Sequence, residues 1–490
     1  MMLLTRDVLL AFAFCGVPLL LALAAAEGTE APRLLIGAAT TSITPDKPVA
    51  LAGQFHTRIA RSVDNPVTAT ALALEARDGE RVVDQAILIS CDLVAIREGV
   101  QQRFRERTKD KLPGFDIRKA FLSATHTHTA PVMLERWYAH DIPDTGVMRA
   151  PEYVEFLTDR LSRIAVEAWE SRKPGSVSWT YGHAVVGRNR RVAYENGTSR
   201  MYGKTDTPEF RSLEGYEDHG VDMLFFWDAA GGLKALGISL ACPSQEVEGR
   251  STVNADFWHD VREVLRAKHG AGLCVLGWPA AAGDQSPHIL WNKPAEERMR
   301  RLRSLTPTQE IARRIAGAVG DTLEIARKEA QASVPLVHRV LDVELPARQA
   351  TESDVAAAKA RLDAAAKKAE LTARERAGQI RDRMLIERFA QQDAQPNVAV
   401  EIHVLRLGDV AIATNPFELY LDYGVQIKAR SKAVQTVLIQ LACTSGKYLP
   451  TERAIRGGHY STSLHTAPIG PKGGKALVHR TVEAINALWE

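Results

Sequence analysis

Short apolar runs alternate with amphipathic stretches along most of the chain, and this alternation constrains the fold more than any other feature. Strand-like runs include residues 85–90, 223–227 and 235–241. Residues 151–171 and 307–328 instead carry apolar side chains at helical spacing. Interleaved strands and helices predict an α/β (mixed α+β) fold with layered mixed β-sheets flanked by helices.

One segment departs from this alternation. Residues 351–389 are rich in Ala, Lys, Arg and Glu, with opposite charges four positions apart, a composition typical of surface helices. We predict a charged helical hairpin inserted near 351–389, with its charged faces in solvent. Because the chain has no internal repeat and no Gly/Ser linker, we expect a single catalytic-type domain over residues 30–490.

The N-terminus has the pattern of a secretory signal peptide over residues 1–26. Arg6 precedes an apolar stretch that ends in Ala24-Ala25-Ala26. The stretch is short for a membrane span, and small residues at its end favour cleavage. We therefore expect a periplasmic or secreted product, with an uncleaved N-terminal anchor as the alternative.

Composition excludes one class of partner. The formal net charge of the 490 residues is +3, and the charged residues are interspersed, so no basic face predicts binding to nucleic acid. Once Cys15 leaves with the signal, Cys91, Cys242, Cys274 and Cys443 remain. Four scattered cysteines in a chain of this size are not a disulfide framework, which leaves buried thiols or a metal ligand.

Two histidines one residue apart follow an apolar run in Ser123-Ala124-Thr125-His126-Thr127-His128. On an extended segment such side chains point to the same side. One imidazole can then bind a metal while the other lines the same cleft. The alternative is a pair of loop histidines whose hydrogen bonds are satisfied locally.

Further motifs carry polar groups beyond strand ends. Gly283-Asp284-Gln285-Ser286-Pro287 follows the apolar residues 272–276, and its small residues allow close approach of the backbone to Ser286. An Asp-capped turn with an inert serine is the alternative. In Asn189-Arg190, the guanidinium can hold a carboxylate or an oxyanion, although such residues also form surface ion pairs.

Taken with Asn415-Pro416-Phe417-Glu418 and Tyr448-Leu449-Pro450-Thr451, these motifs resemble, in this order, the neutral/alkaline (non-lysosomal) ceramidase family. The resemblance covers most of the mature chain and is most specific at Thr125-His126-Thr127-His128 and at Gly283-Asp284. Members of this family are zinc amidases that split the N-acyl bond of ceramide.

The resemblance implies a role for each matched residue. His126, Glu418 and Tyr448 would be ligands of Zn²⁺. His128 and Arg190 would polarise the amide carbonyl or stabilise the oxyanion. Further roles fall to Ser286 as the nucleophile, Asp284 as the residue that orients its loop and Tyr460 as a second phenol.

The chain departs from the family where the second zinc histidine is expected. It has Ala241-Cys242-Pro243 in place of Cys-His-Pro, which aligns Cys242 with the histidine. A thiolate binds zinc well, so we predict a metal set of His126, Cys242, Glu418 and Tyr448. The alternatives are a buried, structural Cys242 with no metal, or a different metal preference.

We therefore predict a secreted zinc-dependent amidase of the ceramidase type in sphingolipid metabolism, acting on ceramide or a related N-acylated, lipid-like substrate. One alternative is a metal-free binding or scaffold protein on the same fold. Another is a serine hydrolase that uses Ser286 with His128 as its base. The C-terminal β-sandwich domain common in the family is expected to be absent, which leaves contact with a membrane surface open, and the sequence does not set the oligomeric state.

Overall fold

The structure is a computed structural model that describes residues 32–135, 142–143 and 145–490. The predicted signal segment, residues 1–26, lies outside the described residues. The strands are β1 (Arg33–Ser42), β2 (Val49–Leu51), β3 (Arg58–Ala60), β4 (Thr68–Asp78), β5 (Arg81–Cys91), β6 (Ala120–Ala124), β7 (Lys173–His183), β8 (Arg188–Asn189), β9 (Arg191–Tyr194), β10 (Ser199–Met201), β11 (Phe210–Leu213), β12 (Gly220–Asp228), β13 (Leu233–Leu240), β14 (Cys274–Pro279), β15 (Gln285–Ser286), β16 (Leu336–Pro346), β17 (Asn397–Leu407), β18 (Val410–Thr414), β19 (Phe417–Leu419), β20 (Gln435–Ile439) and β21 (Lys447–Leu449).

The helices are α1 (Val100–Thr108), α2 (Ala150–Glu170), α3 (Phe257–His269), α4 (Lys293–Leu302), α5 (Pro307–Lys328), α6 (Glu352–Ala366), α7 (Ala373–Gln391), α8 (Leu421–Arg430), α9 (Glu452–Gly457) and α10 (Pro471–Asn486). Short 3-10 turns occur at Lys109–Lys111, Ile117–Lys119, Tyr460–Thr462 and Ala487–Trp489. Among the described residues, no helix is both long enough and apolar enough to cross a membrane.

Two mixed sheets form the framework. The larger has eight strands in the order β14-β13-β12-β7-β1-β4-β5-β6, and the smaller has the order β16-β17-β18-β20. The larger sheet lies at the centre of the molecule. Eight consecutive residues of β4 are buried, so both faces of the sheet are covered at this strand. The remaining strands pair as β10-β9-β11, β15-β8, β19-β21 and β2-β3.

The two sheets pack face to face, and helices cover their outer faces. Side chains from both sheets, among them Leu88 and Ile412, form one buried apolar cluster. Outside the larger sheet, α2 and α3 belong to two further clusters. Outside the smaller sheet, α8 and α10 bury Ile427 and Leu477 against β17 and β18. The result is a helix-sheet-sheet-helix sandwich, and the predicted α/β class with layered sheets is confirmed.

The predicted helical hairpin is present as α6 and α7, between the paired strands β16 and β17. Each helix begins with a capping box, in which Thr351 pairs with Asp354 and Thr372 with Glu375. Its orientation differs from the prediction, because Ala377 and Arg381 line the large cavity described below. The hairpin is therefore a wall of the cavity as well as a solvated surface.

Candidate active site

The loop that carries the two histidines begins where β6 ends. The strand stops at Ala124, and His126 adopts a left-handed backbone with φ of 71°. The predicted extended segment is therefore wrong, yet both imidazoles still reach one place. Hydrogen bonds from the His126 amide to the Leu93 carbonyl (2.9 Å) and from Arg58 to the His128 carbonyl (2.5 Å) hold this uncommon conformation.

The two imidazoles meet through their Nε2 atoms, which lie 3.2 Å apart. His126 Nδ1 lies 2.5 Å from the carbonyl oxygen of Val94, which can only accept a hydrogen bond. The Nδ1 atom of His126 therefore carries the proton, and in the neutral ring the Nε2 lone pair faces His128. Backbone carbonyls orient metal-binding histidines in the same way.

His128 is oriented by the segment that follows β13. The Gln245 side chain accepts from Arg190 (2.9 Å) through Oε1, so its Nε2 amide donates to His128 Nε2 (2.9 Å). On the other side of the ring, His128 Nδ1 lies 3.2 Å from Glu248 Oε2. Burial lowers the pKa of His128 to about 4, although Glu248 opposes the shift, so the ring is neutral at pH 7.

Glu418 and Tyr448 reach the same place through strand register. They sit opposite each other in the parallel pair β19 and β21. Glu418 Oε2 lies 3.6 Å from His126 Nε2 and has no hydrogen-bond partner among the described residues. Burial raises the pKa of Glu418, but His126, Arg190 and a hydrogen bond from Tyr448 outweigh it and bring the pKa to about 2. Glu418 is therefore a carboxylate.

Arg190 lies behind this group and is 1% exposed. It donates to the Tyr202 hydroxyl (2.9 Å) and to the carbonyl oxygen of Gly283 (2.9 Å), and its Nη2 lies 3.6 Å from Glu418 Oε2. A guanidinium held on three sides is a fixed positive charge. Arg190 does not line the cavity itself, so its charge acts on the cavity from behind Glu418.

Asp284 and Ser286 support the site from outside the cavity lining. Asp284 accepts hydrogen bonds from Asn189 Nδ2 (3.1 Å) and from the backbone amide of Leu421 (2.9 Å), and burial raises its pKa to about 6. Ser286 is fully buried and hydrogen-bonded to Tyr202, which itself lines the cavity. Asp284 thus links the Arg190 loop to the chain that follows β19. The nucleophilic role of Ser286 stays a prediction.

Cys242 is not brought to the other predicted ligands. Its side chain is fully buried within an apolar cluster that includes Phe257 and Trp258, and its thiol contacts the carbonyl of Pro243 (3.4 Å). A neutral thiol packs well among apolar groups, and burial raises its pKa well above the ordinary value. Gln245, three residues after Cys242, contacts His128 instead.

The side chains of His126, His128, Glu418 and Tyr448 enclose one end of a cavity of about 960 Å³. Apolar and aromatic side chains such as Phe55, Leu441 and Tyr460 line much of the remainder. Tyr460 contacts Phe55 at a ring separation of 5.7 Å. A cleft of this size that combines apolar walls with a few convergent polar groups is typical of a small-molecule site.

The donor atoms fit a divalent metal ion. Zinc holds nitrogen donors at about 2.0–2.1 Å, which separates tetrahedral neighbours by roughly 3.4 Å. The observed separations are 3.2 Å between the histidine Nε2 atoms and 3.6 Å from His126 to Glu418. His126 Nε2 and Glu418 Oε2 are two acceptors that face each other with no donor hydrogen between them when the His126 ring is neutral. His128 Nε2, which accepts from Gln245, is a third acceptor 3.2 Å from His126 Nε2, and a bound cation would stabilise this arrangement.

Sequence reasoning left open the roles of residues that the structure brings to the site. The polar segment 244–259, which follows Cys242, is typical of groups that support a metal ligand, of a substrate rim or of a polar loop that caps the next helix. In the structure Asp256 caps α3 and accepts from the Val247 amide (2.8 Å), while Gln245 and Glu248 lie against the two sides of the His128 ring. Gly53 was not predicted at all. It has φ of +97°, and a Cβ there would lie 2.5 Å from the His128 ring.

The fold matches solved ceramidases. The neutral ceramidase of Pseudomonas aeruginosa superposes with a TM-score of 0.69 at 17% sequence identity, over 93% of this chain and 74% of that chain. A ceramidase complexed with C2 gives 0.68 at 16% identity, over 94% and 75%. No protein-family model matches the chain, and no curated protein sequence matches it. The chain therefore has a neutral ceramidase-like fold.

Proposed function

We propose that the protein is a secreted or periplasmic zinc-dependent amidase that hydrolyses the N-acyl bond of ceramide or a related N-acylated lipid. One observation carries the proposal, namely the three acceptor atoms of His126, His128 and Glu418 that converge in a cavity. Similarity in fold to a ceramidase complexed with C2 supports the choice of substrate class.

Zn²⁺ would be held by His126, Glu418 and Tyr448, with His128 as the nearest fourth donor. When bound, zinc supplies a Lewis acid for a carbonyl and lowers the pKa of a water molecule. Burial raises the pKa of Tyr448 well above its ordinary value, so this side chain is a phenol until a cation lies beside it. Four groups from β19, β21 and the loop after β6 thus supply the proposed ligands.

The other residues act on charge and on protons. Arg190 keeps a positive charge next to Glu418, since Tyr202 and Tyr448 counteract the effect of its burial on its pKa. It thereby stabilises the oxyanion that forms when the amide carbonyl is attacked. Glu248, whose carboxylate lies 3.2 Å from His128 Nδ1, is placed to accept a hydrogen bond from that atom and so favours one orientation of the neutral ring.

The cavity explains how an acyl substrate would be held. Its apolar lining provides contact for a hydrocarbon chain, while the polar end holds the amide. The hairpin helix α7 adds Ala377 and Arg381 to the wall. The amide would therefore lie at the histidine end of the cavity, with the chain along Phe55 and Leu441.

The test is a substrate panel of ceramides, N-acyl amino acids and N-acyl sugars, with and without a chelator. We expect hydrolysis of N-acyl lipids that is lost on chelation and restored by Zn²⁺. Glu418→Gln should lower kcat/KM by about 10³-fold, equivalent to about 4 kcal/mol. The matched control is Glu80→Gln, because the Glu80 side chain is fully exposed in a turn.

Three outcomes contradict the proposal. Full activity after exhaustive chelation, with loss of activity in Ser286→Ala, favours the serine hydrolase. Folded protein without metal or hydrolysis favours a binding protein. An activity of Glu418→Gln within tenfold of the unsubstituted protein removes Glu418 from the ligand set.

A further inference from the structure

A second cluster of metal-binding side chains lies between the two sheets, away from the cavity. Glu401 and His403 lie on one face of β17, His338 lies on the neighbouring β16, and Cys443 follows β20. His338, His403 and Cys443 are 2%, 0% and 5% exposed. None of the four has a role in the proposed hydrolysis.

These groups form a chain of hydrogen bonds whose protons can be counted. His338 Nδ1 faces the carbonyl of Gln85 (3.2 Å), His338 Nε2 faces His403 Nδ1 (2.8 Å), and His403 Nε2 faces Glu401 Oε1 (2.9 Å). The Gln85 carbonyl only accepts, so a neutral His338 carries its proton on Nδ1. His403 must then donate through Nδ1 to His338.

The count leaves one position without a proton. Two neutral imidazoles supply two hydrogens for three contacts, so His403 Nε2 faces the Glu401 carboxylate with a lone pair. Two acceptors at 2.9 Å, of which His403 is fully buried and Glu401 is 18% exposed, are unstable without a metal ion or a proton between them. The same chain of hydrogen bonds fixes the His403 tautomer that a metal bound at Nε2 requires.

Cys443 completes the set. One ligand atom each from Glu401, His403 and Cys443 lies within 4.8 Å of the others. Thiolate, imidazole and carboxylate are the donors that zinc prefers. We propose that Glu401, His403 and Cys443 form a second, structural site for a zinc-type divalent cation, separate from the cavity.

The surrounding charges are compatible with such an ion. Arg105 donates to both oxygens of Glu401 (2.7 and 2.9 Å), and Arg118 lies 3.6 Å from it. A divalent ion would replace two protons, one from the Cys443 thiol and one that an imidazolium at His403 would carry, so the net charge of the cluster would not change. The Glu401 side chain is 18% exposed and offers a path from solvent.

The proposed second site would stabilise the segment 441–445, which lines one side of the cavity. The Cys443 amide donates to the Leu122 carbonyl (2.9 Å), and the Ala124 amide donates to the Leu441 carbonyl (3.3 Å). Leu441 and Ser445 line the cavity on either side of Cys443. Fixing Cys443 therefore fixes the segment that packs against β6 just before the loop of His126.

The test uses the full mature chain, stripped with a chelator and titrated with Co²⁺. We expect a near-ultraviolet thiolate-to-cobalt charge-transfer band in the unsubstituted protein. The band should persist in His126→Ala and in the matched control Cys242→Ser, and it should be absent from Cys443→Ser, with the loss of one bound equivalent. Circular dichroism confirms that each variant is folded.

If Cys443→Ser does not fold, the thiolate band of the unsubstituted protein, of His126→Ala and of Cys242→Ser still tests the second site. Absence of a thiolate band in the unsubstituted protein overturns the proposal, because a proton then occupies the gap between His403 and Glu401. Loss of the band in Cys242→Ser or in His126→Ala also overturns it. If the band persists while His126→Ala loses no equivalent, the second site stands and only the cavity metal fails.

Discussion

The cavity cluster (His126, His128 and Glu418) and the buried cluster (His338, His403 and Glu401) contain the same groups, and they differ in what satisfies the carboxylate. Glu418 lines the cavity, and its Oε2 atom is buried without a hydrogen-bond partner in the described part of the chain. Both oxygens of Glu401 accept from Arg105. The Glu418 carboxylate is therefore free to bind a ligand in the cavity, whereas Arg105 holds the Glu401 carboxylate in place, where it can take part only in a structural site between the two sheets.

The largest effect should come from breaking the pair in the buried cluster. Arg105→Met leaves the Glu401 carboxylate without its main partner, and we expect a loss of about 3 kcal/mol in the free energy of unfolding, measured with urea. Arg103→Met is the matched control, because Arg103 lies on the same helix and its ion pair with Glu155 is half exposed. The control should change stability by less than about 1 kcal/mol. Equal effects would show that Glu401 does not depend on Arg105.

A smaller effect should follow from crowding His128 in the cavity cluster. Gly53→Ala places a methyl group against the imidazole, and since misplacement by about 1 Å can cost 10²-fold, we expect kcat/KM to fall between about 10-fold and 100-fold. Gly79→Ala shares the backbone strain, with φ of +58°, but its Cβ would meet nothing within 4 Å. Equal activities of the two variants would show that the position of His128 is not critical.

The smallest effect concerns Glu246, a carboxyl group in the segment beside the cavity. Burial, with repulsion from Asp256, raises its pKa from 4.5 to about 8. Between these values the folded chain keeps a proton that the unfolded chain has lost, so this group lowers stability as pH rises. Glu246→Gln should therefore be more stable than the unsubstituted protein at pH 8, by at least about 1 kcal/mol, and equal to it near pH 4. A constant difference across thermal melts from pH 4 to 8 would contradict this assignment.

The sequence predicts elements whose signals are local. Helix α5 begins at Pro307 as predicted, because Thr306 and Gln309 form a capping box. The inner face of α7 was not predictable in this way. A charged helix that is solvated along most of its length gives no sign that Ala377 faces a cavity.

In the candidate site too, some residues are predictable from local motifs and others depend on how the chain folds. Glu418 and Tyr448 follow from motifs, and strand register then places them opposite each other. Cys242 illustrates the limit, since alignment on Pro243 gives its position in the chain but not the direction of its side chain. That direction depends on how the chain turns after β13, and the turn selects Gln245 for contact with His128.

The insertion of the hairpin between β16 and β17 has an evolutionary consequence. These strands remain in register up to the pair Pro346 and Asn397, so the chain leaves the sheet and returns to it at adjacent residues. Helices α6 and α7 can therefore be lengthened, shortened or exchanged without shifting the sheet. Such a module would let substrate preference diversify while the groups around His126 stay constant.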